Sequence, residues 1–123
     1  MPDIHGDIGG GKFGVMSSDQ ILDWLCGKLP HIPSSRYKSN MQSCINDVMN
    51  GRGKDTAGRT HQGDQILHTS AGKNGQSDGC TLFYVKRDHG VAKIVGIGEH
   101  ASSTTYDVYW YDGNWCSGGR ISL

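Results

Sequence analysis

Tyr37, Met41, Cys44, Ile45, Val48 and Met49 fall at positions i, i+4, i+7, i+8, i+11 and i+12, and that spacing constrains the chain more than any other feature of its sequence. On a helix of about 3.6 residues per turn they form one apolar stripe, which has to be buried against another element. Ser34 or Ser35 can cap this helix, and Asn50-Gly51 ends it. Ahead of it, Ser17 and Gln20 fit a capping box, and Ile21, Leu22, Leu25 and Leu29 recur at helical spacing up to Pro30, so a first helix is expected there.

The pattern changes from residue 66 onward. A short strand is expected at 66–68, longer ones at 80–86, 91–97 and 105–111, and a last short one at 120–122. Arg87-Asp88-His89-Gly90 and Asp112-Gly113-Asn114 supply turns between them. The stripe on the second helix needs one face of such a sheet. The expected fold is therefore α+β, with two N-terminal helices packed on a C-terminal antiparallel meander of four to five strands. Residues 1–16, rich in Gly and Asp and without periodicity, are read as a flexible linker or fragment boundary, leaving 17–123 as a single domain. The glycine-rich segment 51–64 is read as a basic loop carrying Arg52, Lys54 and Arg59.

A chain of 123 residues suits one domain, and its longest apolar runs are too short to cross a bilayer. Cys26, Cys44, Cys80 and Cys116 are far apart, without C-x-x-C spacing, so they read as buried small hydrophobes rather than as a zinc or redox motif. GGGK at 9–12 lacks the Walker spacing, and Glu99-His100 stands without an H-E-x-x-H partner. Nucleotide-hydrolase and metalloprotease chemistry are thus not indicated, and no cofactor is implied. The formal net charge is zero, which disfavours nucleic-acid binding by bulk electrostatics. The charge is nevertheless uneven, since residues 35–90 carry eight Lys and Arg against five Asp.

Three stretches carry more chemistry than a plain sheet requires. His68 and Thr69 lead into a polar loop containing Lys73. Gly96-Ile97-Gly98-Glu99-His100 sets a histidine at the end of a glycine-bearing strand, and Ser102, Ser103, Thr104, Thr105 and Tyr106 follow with hydroxyls. Two imidazoles, a lysine and hydroxyl donors suffice to cleave RNA without a metal. One histidine takes the 2′-OH proton, the other protonates the leaving oxygen, and the remaining groups stabilise charge on phosphorus. A lone histidine is more often a surface or structural residue, which is the reading for His5, His31, His61 and His89. Tyr106, Tyr109, Trp110, Tyr111 and Trp115 can stack nucleobases, although alternating aromatics on a strand more often pack the core.

The layout of a Gly-rich start, helices, a His-bearing loop and then "IVGIGEH" and "SSTTYDVYW" resembles the C-terminal toxin domains of bacterial contact-dependent growth inhibition and related polymorphic toxin systems, of the barnase, EndoU, colicin and RelE type of ribonuclease fold. The resemblance implies a metal-independent endoribonuclease, acting on tRNA and blocked in the producing cell by a cognate immunity protein. It implies His68 and His100 as the acid and base, with Lys73, Thr104 and Tyr106 as donors on the phosphate side. Arg52, Lys54, Arg59, Thr69 and Ser103 would bind RNA. It further implies release as the C-terminal part of a secreted or cell-surface bacterial protein, action in the target-cell cytoplasm, and elongation factor Tu as a possible presenting partner.

Two other classes compete with this reading. One is a cysteine amidase or peptidase using Cys80 with His100, although Cys80 opens a strand rather than a helix. The other is a non-enzymatic module that binds protein or sugar through exposed Tyr and Trp.

Overall fold

The computed structural model describes residues 3–9, 12–26, 28, 34–72, 79–87, 91–102, 104–111 and 115–122. The elements run β1 (Asp3–Gly9), β2 (Lys12–Met16), α1 (Ser18–Leu25), α2 (Ser34–Met49), β3 (Lys54–His61), β4 (Asp64–Ala71), β5 (Cys80–Arg87), β6 (Val91–His100), β7 (Thr105–Tyr111) and β8 (Trp115–Ser122). Two helices form, but the first ends at Leu25, short of the expected end at Pro30. Ser17 closes the capping box with Gln20, through bonds of 2.8 and 3.2 Å. Cys26 caps α1 after Leu25, whereas Leu29 and Pro30 lie outside the described residues.

At the end of α2 the chain reverses sharply. Gly51 is left-handed (φ 70°), its N–H donates to the Val48 carbonyl at 3.1 Å, and the Arg52 N–H donates to that of Asp47 at 2.8 Å. This Schellman closure folds Arg52 and Gly53 back beside Asp47. Neither helix is long and apolar enough to cross a membrane.

The expected sheet of four to five meander strands behind two N-terminal helices is not what forms. Eight strands make one mixed sheet in the order β2-β1-β6-β5-β4-β3, with β7 pairing β6 and β8. The first sixteen residues, expected to be a linker, contribute β1 and β2, and both precede α1. β1 lacks an apolar alternation because its pairing is made by the backbone, antiparallel to β2 and parallel to β6 at Val91–Lys93. Gly6 lies so close beneath its neighbours that an added Cβ would sit 2.6 Å from Met16 Sδ and 2.9 Å from the Trp24 ring.

The segment 54–61, expected as a loop, is the edge strand β3. Its residues are exposed apart from Thr56 and the half-buried His61, as suits a charged edge that discourages pairing with other chains. Its pairing with β4 slips between Asp55 and Thr60, where Ala57 (φ 51°) and Gly58 (φ 73°) are left-handed. Asp55 braces this bulge, accepting from Gln65 Nε2 at 2.7 Å and from the Gly58 N–H at 3.1 Å. Those hydrogen bonds, that of Gln65 first, hold its carboxyl below the usual carboxylate range.

β6 is the branch point. Its first residues pair with β1, its last (Gly96–His100) with β7, and β5 runs along its other edge. The helix stripe and Ile21, Leu25, Leu82, Tyr84, Ile94 and Ile97 build one buried cluster. A second cluster, containing Ile66, Phe83, Val85, Val95, Tyr106, Val108 and Ile121, fills the sheet's other face. Residues from β4 and from β7 and β8 share this second cluster because the sheet curls over on itself.

Candidate active site

The curl brings His68 of β4 to the Tyr106 ring of β7, with centroids 5.9 Å apart. The His100 ring at the end of β6 lies 4.2 Å from the same tyrosine. The two imidazoles are therefore no further apart than those two distances laid end to end. Both border a cavity of about 580 Å³, whose wall also includes Asp47, Arg52, Lys54, Thr69 and Tyr106.

His68 is held by a residue that the sequence does not single out. The hydroxyl of Thr56, fully buried on the bulged part of β3, lies 3.1 Å from His68 Nδ1. Where Nδ1–H donates to Thr56, Nε2 presents a lone pair; where the threonine hydroxyl donates instead, Nε2 carries the proton. Burial is the main cause of a lowered pKa for His68, and the charge on Lys54, its cross-strand neighbour, adds to it, with a smaller push from His100. A hydrogen bond to the Lys54 backbone and the carboxylate of Asp55 act in the opposite direction. The net result is an imidazole that stays neutral near pH 7, as a general base must be.

His100 is arranged differently. Its Nδ1 is 3.1 Å from the Ser102 carbonyl, which can only accept, so Nδ1 carries a proton and the bond fixes the ring's orientation. The turn that sets this geometry is knitted together by Ser102, whose Oγ lies 2.7 Å from Thr105 Oγ1 and accepts from the backbone of Thr104 and Thr105.

Arg52 and Lys54 make one wall of the cavity cationic, and Asp47 is the acidic group among its lining residues. Asp47 accepts a 2.6 Å hydrogen bond from Thr69, which is thereby directed at a carboxylate. Of the sequence candidates, His68, His100, Tyr106, Arg52, Lys54 and Thr69 come together here. Thr104 sits exposed in the Ser102 turn, and Arg59 lines a different cavity. Lys73 and Ser103 lie outside the described residues.

Comparison of the chain with protein-family models, curated proteins and solved structures finds no match.

Sequence reasoning missed Asp47, Gly53, Thr56 and Ser70. Asp47 and Gly53 had a signal, since Asn50-Gly51 predicts the helix end that places them. Thr56 had none, because it depends on a bulge in a strand without apolar alternation. Cys80 is fully buried, with its sulfur 3.8 Å from that of Cys44, away from the cavity that His100 borders. Cys26, Cys44 and Cys80 form no disulfide. Among the described residues no three His, Cys, Asp or Glu side chains gather as a metal-binding group.

Proposed function

We propose that this chain is an endoribonuclease that cleaves RNA by attack of the 2′-OH, with His68 as general base and His100 as general acid. The observation that carries the reading is the convergence of the two imidazoles on Tyr106 at one cavity, His68 with a lowered pKa and its Nδ1 on Thr56, His100 with its Nδ1 on the Ser102 carbonyl. The scissile phosphodiester would lie in the cavity that both imidazoles border, within a hydrogen bond of about 2.6–3.2 Å of each. His68 Nε2 takes the 2′-OH proton as the O2′–P bond forms. The P–O5′ bond then breaks, and His100 Nε2 delivers a proton to the departing 5′ oxygen. The products are a 2′,3′-cyclic phosphate and a free 5′-OH. Arg52, Lys54 and the Tyr106 hydroxyl stabilise charge on the non-bridging oxygens.

Transfer RNA as substrate, a cognate immunity protein over the cavity, presentation by elongation factor Tu, and delivery as the C-terminal part of a secreted or cell-surface protein belong to the same proposal, on the strength of the toxin-domain resemblance. The direct test is incubation of the purified chain with total bacterial RNA, with and without a cytosolic extract. His68→Ala and His100→Ala variants of unchanged circular dichroism serve as controls. Discrete fragments ending in a cyclic phosphate are expected from the parent chain, with at least a hundredfold less from either variant. Intact RNA under both conditions overturns the assignment.

A further inference from the structure

A second cavity, of about 470 Å³, opens between the far part of β3 and the end of β7, and Arg59, Thr60, His61, Ile66, Trp110 and Tyr111 line it. Five aromatic residues of the C-terminal strands are candidates for stacking on a base, and the structure separates those it describes. Tyr109 packs against the helix-side cluster, Tyr111 is buried with its ring edge-on to Trp24 at 5.1 Å, and Tyr106 is occupied by the two histidines. Trp110 is different, because its side chain is half-buried and is held from beneath. It lies across its cross-strand partner Gly96, where an added Cβ would come within 2.8 Å of the indole, and its ring meets Phe83 at 5.1 Å. A ring fixed on one side over a glycine, bordering a cavity on the other, is a stacking platform already in place before any ligand arrives. The exposed Arg59, which lines the same cavity, supplies a cation for a phosphate.

The two cavities succeed one another along the same curled face. Ile66 borders the second and His68 the first, two residues apart on β4, which is about 7 Å at strand rise. Tyr106 and Trp110 are four residues apart on β7, about 13 Å. The geometry points to Trp110 as the platform for an unpaired nucleobase of a single-stranded RNA, at a nucleotide removed from the scissile phosphate, with Arg59 contacting the backbone beside it. This rests on the ribonuclease reading and adds to it that the substrate is engaged as an unpaired strand several nucleotides long.

A 2′-O-methyl oligouridine pentamer has no 2′-OH to attack, so its binding is independent of cleavage. Titrated into the purified chain, it is expected to quench tryptophan emission, and Trp110→Phe, which keeps a ring, should abolish most of the quench while preserving affinity within a few-fold. Trp110→Leu should raise Kd about tenfold or more. Arg59→Ala, at an exposed position that cannot threaten the fold, should lower the slope of log K against log salt by about one. Unchanged affinity in Trp110→Leu together with an unchanged salt slope in Arg59→Ala overturns the platform, even if the chain cleaves RNA. Loss of affinity in Trp110→Leu in a chain that cleaves no RNA supports the platform and removes only the catalytic assignment.

Discussion

The rings of His68 and Tyr106 meet at 5.9 Å although β5 and β6 lie between the strands that carry them. In a flat sheet three strand spacings would hold them roughly 14 Å apart. The difference is made by the curl of the sheet, and the curl is sustained by the second cluster, where Phe83 and Val95 are fully or almost fully enclosed between the two arms. The site is thus a product of sheet curvature, and the groups that tune it act on a constellation set by the core.

Thr56 is expected to act as a positioning residue. Thr56→Val keeps shape and burial but removes the hydroxyl 3.1 Å from His68 Nδ1, so kcat should fall about fivefold, the value of one hydrogen bond of about 1 kcal/mol. KM should stay unchanged, and Thr56→Ser should restore kcat. A purely structural role would instead move the thermal midpoint and leave kcat per folded molecule untouched.

The pH dependence is set by the lowered pKa of His68, which burial and then Lys54 cause. Between that value and the unfolded value of about 6.5 the unfolded chain binds a proton that the folded chain does not, so stability rises with pH through that window and is level above it. Activity should likewise fall only below pH 6.5 as the base becomes protonated. Replacing Lys54 by Gln removes one source of the depression, so the His68 pKa rises and the acidic limb of kcat/KM moves to higher pH. NMR titration of the His68 ring reads this directly, and an unmoved or lowered midpoint contradicts it.

Tyr84 is fully buried, and among the described residues its hydroxyl has no hydrogen-bond partner. The hydroxyl sits directly beneath Gly53, where a Cβ would collide with it. Burial, and then the charge of Asp47, push its pKa up. Tyr84→Phe removes a polar group that folding strands, and should stabilise the chain by about 1 kcal/mol in urea titrations. A loss of stability would mean that the hydroxyl has a partner, such as a buried water.

Gly6→Ala should cost about 1–3 kcal/mol, because the new methyl group overlaps Met16 and a Trp24 ring that Tyr111 holds edge-on. Loss of β1 pairing would show as fast amide exchange at the β1–β6 contact.

The sequence exposed those parts of the fold whose side chains do the specifying. The stripe on α2, the Ser17 capping box, the continuous apolar runs of β5 and β6 and the partial alternation of β7 each carry a pattern that burial imposes. β1, β2 and β3 carry none, since one is held through its backbone with Gly6 under Trp24, and another is an edge with a single fully buried side chain, Thr56. The same division runs through the site. His68, His100 and Tyr106 were visible as reactive types at strand ends, whereas their convergence depends on curvature, which no local pattern encodes. Thr56 was hidden because a bulge, braced by Asp55, turns an unremarkable threonine inward.

The parallel pairing of Asp3–His5 with Val91–Lys93 joins residues almost ninety positions apart. Closing a loop of that length cannot begin until β6 has been synthesised, and contacts of such long range slow folding. Because β6 also carries His100 and anchors β7, neither the β1 pairing nor the pair of imidazoles can form before β6 exists. The pairing that closes the sheet and the meeting of the two imidazoles therefore wait on one and the same strand.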